Sequence, residues 1–372
     1  MEPSSSPTHL LDVPPEGWSA LPVLADQPRF RVEQVRRWVF ERRATSFDLM
    51  SDLPKALRAK LGEALTLWRS EVAAHKTSRD GTEKLLLRLP GKRRADGTAG
   101  PPGEIECVLL RDGARRTICI SSQVGCAMGC VFCASGLAGV ERNLTTGEIV
   151  EQMLRLQHRL PEAERLSHIV VMGMGEPLAN LDRLLPALDV ASDERGLGIS
   201  ARRITISTVG LPPAMRRLTE RDCRFHLAVS LHAPNDALRN QIVPTNPKTG
   251  LAEILSAADA YFEASGRRLT FEYVLLAGIN DGVEHAAELA RLLQHRTALL
   301  NVIPYNPVAG LPYKTPSPEA IRAFRQRLLV GGVNVQFRQR KGDEIDAACG
   351  QLRRNVAAQG VAAPTLVPTI TS

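Results

Sequence analysis

Three cysteines fall within eight residues, Cys126, Cys130 and Cys133, in the spacing C-x3-C-x2-C. Three thiolates so spaced wrap one [4Fe–4S] cube but reach only three of its irons, whereas such cubes ordinarily take four cysteines. One iron is left open to a ligand from outside the chain. In a soluble enzyme that ligand is most often S-adenosylmethionine (SAM), bound through its amino and carboxylate groups. The plainer readings fit less well. A C-x2-C pair can be half of a zinc site, but zinc takes four ligands, and the next histidine, His158, is too far along to be a local one. A structural disulfide needs an oxidising compartment.

The bulk properties point to such a compartment being absent. The chain has 372 residues, 44% of them hydrophobic, enough for two domains or one large domain with additions. Residues 1–20 carry acids and prolines with no apolar core, so they read as a loose tail and not as a secretory signal. No apolar run approaches the ~18 residues of a membrane span. Seven cysteines are odd in number and are not spread as a disulfide framework. The expected location is reducing cytoplasm.

The net charge is +7, and the excess is mostly arginine. Pairs recur at Arg36-Arg37, Arg42-Arg43, Arg93-Arg94, Arg115-Arg116, Arg202-Arg203, Arg216-Arg217 and Arg353-Arg354. Guanidinium forks suit phosphates, and a basic balance suits nucleic acid. A GC-rich genome produces the same bias.

Residues 21–70 read as a helical accessory module. Val32, Val35 and Val39 mark one face of a helix over Arg31–Arg43, and Leu57, Leu61 and Leu65 one face of a second from Pro54 to Leu67. Its basic face, with Trp38 and Phe40, suits RNA, although a solvated surface is the commoner meaning. Residues 71–112 read as a β-hairpin linker, with strands Lys84–Leu89 and Glu104–Leu110 around a long basic loop. From 113 to 355, strands alternate with helices. The strands are expected at Thr117–Ser121, His168–Met172, Arg203–Ser207, His226–Leu231, Thr270–Leu276, Leu299–Ile303 and Asn334–Arg338. Thr145 to Glu148 has the form of a capping box, and Ser317-Pro318 that of an N-cap followed by proline at the first helical position. This repetition predicts an α/β parallel sheet or barrel. Residues 356–372 are small and polar without period, and read as disordered.

The unusual residues fall at the carboxyl ends of these strands, where barrel active sites are built. The cysteine triplet follows the first strand, and Gly173-Met174-Gly175-Glu176-Pro177 the second. Ser207-Thr208, Ser230-Leu231-His232 and Tyr305-Asn306-Pro307 end or follow later ones. The glycine loop lacks the third glycine of a dinucleotide fingerprint. Gly175 and Glu176 suit the SAM amino group instead. Cys107 and Cys223 read as small core hydrophobes. Cys349, between small residues and Gly350, suits an exposed thiol. Glu106 lies in an otherwise apolar strand, so it faces solvent or has a purpose.

In order, these motifs resemble the RlmN/Cfr group of radical SAM RNA methyltransferases. The resemblance runs from Arg116–Cys126 through Cys130, Cys133 and Arg142–Thr145, then the glycine loop, Ser207–Gly210, Ser230–Ala233, Ile303–Pro307 and the Cys349 segment. It covers the chain from the first helix to about residue 355. It implies a partial (β/α)6 radical SAM barrel with an N-terminal helical domain and a hairpin extension. Cys126, Cys130 and Cys133 would ligate the cluster. Gly175, Glu176, Ser207, Ser230, Leu231, His232 and Asn306 would line the SAM site. Cys349 would carry a methyl group, Cys119 would release it through a transient disulfide, and Glu106 would accept a proton. The implied substrate is an adenine of 23S rRNA, methylated at C2. Many RlmN-type members also act on a tRNA adenine beside the anticodon. An electron-donating reductase is implied as a partner, and monomer is the default state.

The stretch Ala134–Glu141 departs from the family's commonest residues, with Val140 where a larger aromatic is frequent. That leaves C8 methylation of the same adenine, as in Cfr, as the nearest rival. An activase that places a radical on a partner protein would need neither Cys119 nor Cys349.

Overall fold

The computed structural model describes residues 7–91, 98, 100–221, 224–338 and 341–352. The Arg93-Arg94 and Arg353-Arg354 pairs, Cys223 and the stretch 356–372 lie outside them.

The N-terminal module contains β1 (Thr8–His9), α1 (Pro22–Ala25), α2 (Arg29–Phe40), α3 (Lys55–Ala64) and β2 (Leu65–Thr66), with β1 and β2 paired in parallel. The expected loose tail is therefore corrected from residue 8 onward. Leu10, Leu11 and Trp18 are buried, and Trp18 stacks on Phe40 with ring centres 6.0 Å apart. The Trp18 indole donates to the Val13 carbonyl at 2.8 Å. Prolines at 14 and 15 favour short 3-10 turns, so the apolar residues that anchor this segment show no helical period. Phe40 belongs to this core and not to the basic face. The second helix stops at Ala64 because the next two residues pair with β1.

Beyond the module come β3 (Glu71–Thr77), β4 (Glu83–Leu89), β5 (Gly103–Asp112), β6 (Arg115–Cys119), β7 (Gln123–Gly125) and β8 (Val140–Asn143). Then follow α4 (Thr146–Gln157), β9 (His168–Val171), α5 (Leu181–Ser192), β10 (Ile204–Thr208), α6 (Pro212–Glu220) and β11 (His226–Ser230). The chain continues through α7 (Asp236–Ile242), α8 (Leu251–Ser265), β12 (Leu269–Leu275), α9 (Val283–Leu293), β13 (Ala298–Pro304), α10 (Pro318–Val330) and β14 (Val335–Phe337).

Ten strands form one sheet in the order β14-β13-β12-β11-β10-β9-β6-β5-β4-β3. From β6 through β14 every pairing is parallel, which makes six βα units closed by a last strand. Arg115 and Thr117 of β6 line the same cavity as Gln336 of β14, so the sheet curls until its first and last parallel strands face a common lumen. This is the expected partial barrel. The hairpin is not a separate linker. β5 pairs antiparallel with β6, so β3, β4 and β5 extend the barrel sheet itself. The edge strand β3 carries no clean alternation and is mostly exposed, which hid it in the sequence.

The expected capping box opens α4. Thr145 Oγ1 accepts from the Glu148 amide at 3.2 Å, and Glu148 accepts from the Thr145 amide at 2.9 Å. Ser317 caps α10 by accepting from the Ala320 amide. Among the described residues no helix is long and apolar enough to cross a membrane.

Candidate active site

The cysteine loop hangs between β7 and β8, a two-stranded ribbon that closes it at its base. Gly125 turns into it with φ 80, and a Cβ there would meet the Gly139 carbonyl at 2.0 Å, so glycine is required. The Gln152 side chain holds the approach in place by accepting from the Ser121 amide and donating to the Ser121 carbonyl.

Cys126, Cys130 and Cys133 line one cavity of about 150 Å³ at the carboxyl ends of the strands. Gly175, Glu176, Ser207, Ser230, His232, Asn306 and Cys349 line it too. The structure thus gathers most of the expected cofactor residues around one space. Leu231 is the exception, since it does not line the cavity and its side chain is fully buried in the main core. The Leu231 amide donates to the Glu272 carbonyl, and its own carbonyl accepts from Arg239.

Glu176 acts as a tie between strand ends. Its carboxylate accepts from the Leu178 amide at 3.0 Å and the Val209 amide at 2.8 Å. Burial pushes its pKa up and those hydrogen bonds pull it back. His232 sits at φ 61, and its ring meets Phe132 edge-on at 4.9 Å. Burial and then Arg239 hold its pKa down to about 3. Its Nδ1 accepts from the Val274 amide at 3.1 Å, so in the neutral ring Nε2 carries the proton as a donor.

Three observations fit a cluster and SAM here. The three thiols are raised chiefly by burial, Cys126 to about 12. A bound cation is what offsets such burial for a thiolate. Asn306 Oδ1 is buried without a hydrogen-bond partner, while its Nδ2 donates to the Cys349 carbonyl at 3.1 Å. An ammonium group such as SAM carries would satisfy it. Gly175, at φ 107, leaves room beside the loop that any side chain would fill, since a Cβ would lie 2.7 Å from Ser122 Oγ.

Cys349 is exposed and borders two cavities, the one just described and the barrel lumen. Its segment is latched to the cysteine loop. Ala134 donates its amide to the Gly350 carbonyl at 2.8 Å, and Ser135 its hydroxyl to the Leu352 carbonyl at 2.6 Å. Cys119, at the end of β6, lines the lumen with Cys349. Burial, then the nearby Cys349 sulfur, raises its thiol to about 12. Both cysteines are free thiols.

Glu106 lines neither cavity. It is buried in β5 and paired with Lys84 Nζ at 2.8 Å. It shares the sheet face of Val108, whose partner across the strands is Cys119. Lys84 also donates to the Asp346 carbonyl at 3.0 Å, which joins Glu106 to the Cys349 segment. Sequence reasoning missed Lys84 and also Arg338, whose Nη1 lies 3.8 Å from Cys349 Sγ. Arg338 is held charged first by the Cys349 sulfur, and it faces Glu272 and Cys119 as well. A lysine in the run Glu83–Leu89 was the only available signal for the first; nothing marked the second.

Comparisons with known proteins identify the family. Residues 120–292 match the radical SAM superfamily, and residues 8–67 match the ribosomal RNA large subunit methyltransferase N-terminal domain. The chain is 66% identical over 329 residues to the "Probable dual-specificity RNA methyltransferase RlmN" of Rhodopirellula baltica, covering 88% of this chain and 86% of that one. It is 45% identical over 345 residues to the "Dual-specificity RNA methyltransferase RlmN" of Nitratidesulfovibrio vulgaris, covering 90% and 92%. A crystal structure of a radical SAM methyltransferase from Sphaerobacter thermophilus is similar with a TM-score of 0.87 and 42% identity, over 93% of this chain and 99% of that one.

Proposed function

Since the chain belongs to the RlmN family of radical SAM RNA methyltransferases, with a [4Fe–4S] cluster and SAM as its cofactors, we propose that it methylates C2 of an adenine in 23S rRNA, using Cys349 as methyl carrier. The tRNA adenine beside the anticodon is its second target, in keeping with the dual specificity in its relatives' names. A reductase system supplies electrons, and the enzyme acts as a monomer in the cytoplasm.

One observation carries this reading. Cys349 stands at the boundary of the two cavities, with the cysteine triplet on one side and Cys119 on the other. An exposed thiol there can receive a group from one space and deliver it in the other.

Adenine C2 is an electron-poor carbon and does not displace a methyl group as an amine does. When bound, the cluster and SAM supply a methyl donor and a one-electron route to a hydrogen-abstracting radical. The chain's own residues do the rest. Cys349 takes up the methyl as a thioether, a covalent step that splits one hard transfer into easier ones. The Arg338 guanidinium lies 3.8 Å from its sulfur and orients it for the attack. Once the carrier carbon is joined to the ring, Glu106, held by Lys84 behind the lumen wall, is the base that would take the C2 proton. Cys119 then bonds to the Cys349 sulfur as the Cys349 S–C bond breaks; the bonding pair and the Cys119 proton go to the carbon, which leaves as the methyl of the RNA, and the reductase system returns the disulfide to thiols.

The test is nucleoside mass spectrometry of 23S rRNA from cells with and without the gene. Gene-dependent 2-methyladenine is expected; 8-methyladenine instead would overturn the C2 assignment. Protein incubated with SAM alone should gain a methyl on Cys349, and its absence would overturn the carrier.

A further inference from the structure

The lumen that holds Cys119 opens at the end of the barrel opposite the cysteine loop. Its cavity, 630 Å³ in size, reaches from Cys349 down to the amino ends of the strands. Arg115, Arg202 and Arg203 stand at that far mouth, at the starts of β6 and β10.

Many of the chain's other arginines are committed to carboxylates. Arg36 is paired with Asp193, Arg42 with Asp52, Arg116 with Glu164, Arg216 with Glu253 and Arg217 with Asp182. Among the described residues no ion pair or side-chain hydrogen bond is found for Arg115, Arg202 or Arg203, although Arg115 stands close enough to Asp112 to add to the lowering of its pKa by Lys341. The single carboxylate of the mouth, Asp112, is taken by Lys341 at 2.9 Å. His168 senses the surplus: it is lowered by burial, then by Arg115 and Arg203.

The cofactor end has the opposite character. Its cavity is lined by no lysine or arginine, and by two carboxylates, Glu176 and Glu272. Phosphates are repelled there and drawn to the far mouth, where low-dielectric walls concentrate the field. A base splayed out of a single-stranded loop suits the lumen, and Phe337, at the carboxyl end of β14 next to Arg338, offers it a stacking face deep in the cavity near Cys349.

We infer that the RNA enters through the amino-end mouth of the barrel, with the phosphates flanking the target adenine on Arg115, Arg202 and Arg203. The inference rests on the chain's acting on RNA, and deepens it by assigning the route. Entry and cofactor binding thus use opposite ends of one lumen, and Cys349 is where they meet.

The test uses the cluster-loaded full chain, protein-free 23S rRNA as probe, and the variants R202E/R203E and R115E. The expected result is a raised KM for RNA and a salt dependence of binding whose log–log slope falls by roughly 1 for each arginine lost. Cys349 methylation by SAM without RNA reads the site's integrity and should be retained. R202K/R203K should restore most of the slope. An unchanged KM and slope in both charge-reversed variants overturns the route. So does loss of Cys349 methylation in them, because the arginines would then act on the fold. Failure of the C2 or carrier reading shows itself separately, in the wild-type product and the wild-type Cys349.

Discussion

The two ends of the barrel lumen are built from different chemistry. At the carboxyl ends of the strands the wall is apolar, its polar atoms are buried, and its titratable groups are displaced by desolvation. At the amino ends the wall is cationic and open. The first end suits a cofactor that must be shielded from water. The second suits a polyanion that must arrive and leave. Sequence position alone separates them, because parallel strands put all their amino ends at one mouth and all their carboxyl ends at the other.

The sharpest way to break this division is at its boundary. Cys349→Ala should abolish RNA methylation and protein methylation together, read by mass spectrometry of both products. Cys119→Ala should still load a methyl but leave RNA covalently attached on a denaturing gel; free RNA released as in wild type would remove Cys119 from the resolving role. Next in size is the buried pair behind the boundary. Lys84→Met removes the lysine side of the buried Lys84–Glu106 pair, and breaking such a pair costs about 3 to 5 kcal/mol. Denaturant midpoints should show that loss, and Lys84→Met/Glu106→Leu should recover much of it while remaining inactive.

A smaller effect is read through pH. Burial holds His232 down to about 3 and His158 to about 4, both from 6.5. The unfolded chain therefore binds those protons first. Stability is intact above pH 6.5 and is lost as pH falls toward the folded values. Denaturant midpoints measured from pH 7 to 5 should decline, and His158→Phe should flatten part of the decline. An equal slope in that variant would show that other groups govern it. Smallest is Thr145→Ala, which removes the cap of α4 behind the cofactor end and should cost about 1 kcal/mol in the same assay.

How much of this was legible in the sequence follows from the range of the forces involved. The triplet, the capping box and the glycine loop are local, and their residues sit side by side in the chain. The parallel strands were legible because their buried runs are bounded by polar loops. Residues 8–20 were misread because Leu10, Leu11 and Trp18 are anchored by 3-10 turns without a period. The ribbon β7–β8 went unseen because each strand is too short to alternate. Lys84 with Glu106, and Arg338 with Cys349, are tertiary pairs. Each is an ordinary polar residue until strand pairing, for the first, and the docking of the carrier segment on the barrel, for the second, brings its partner alongside.

The latch between the cysteine loop and the carrier segment also sets an order in time. Ser135 and Leu352 are 217 positions apart, and the bond between them spans nearly the entire barrel. Contacts of such separation form only after the intervening loop entropy has been overcome by other structure. The nascent chain can pair its early strands and fold its helices long before that closure is available. The carrier thiol is thus seated last, when every strand that defines the lumen already exists, and the enzyme acquires its reactive arm as the final act of its own folding.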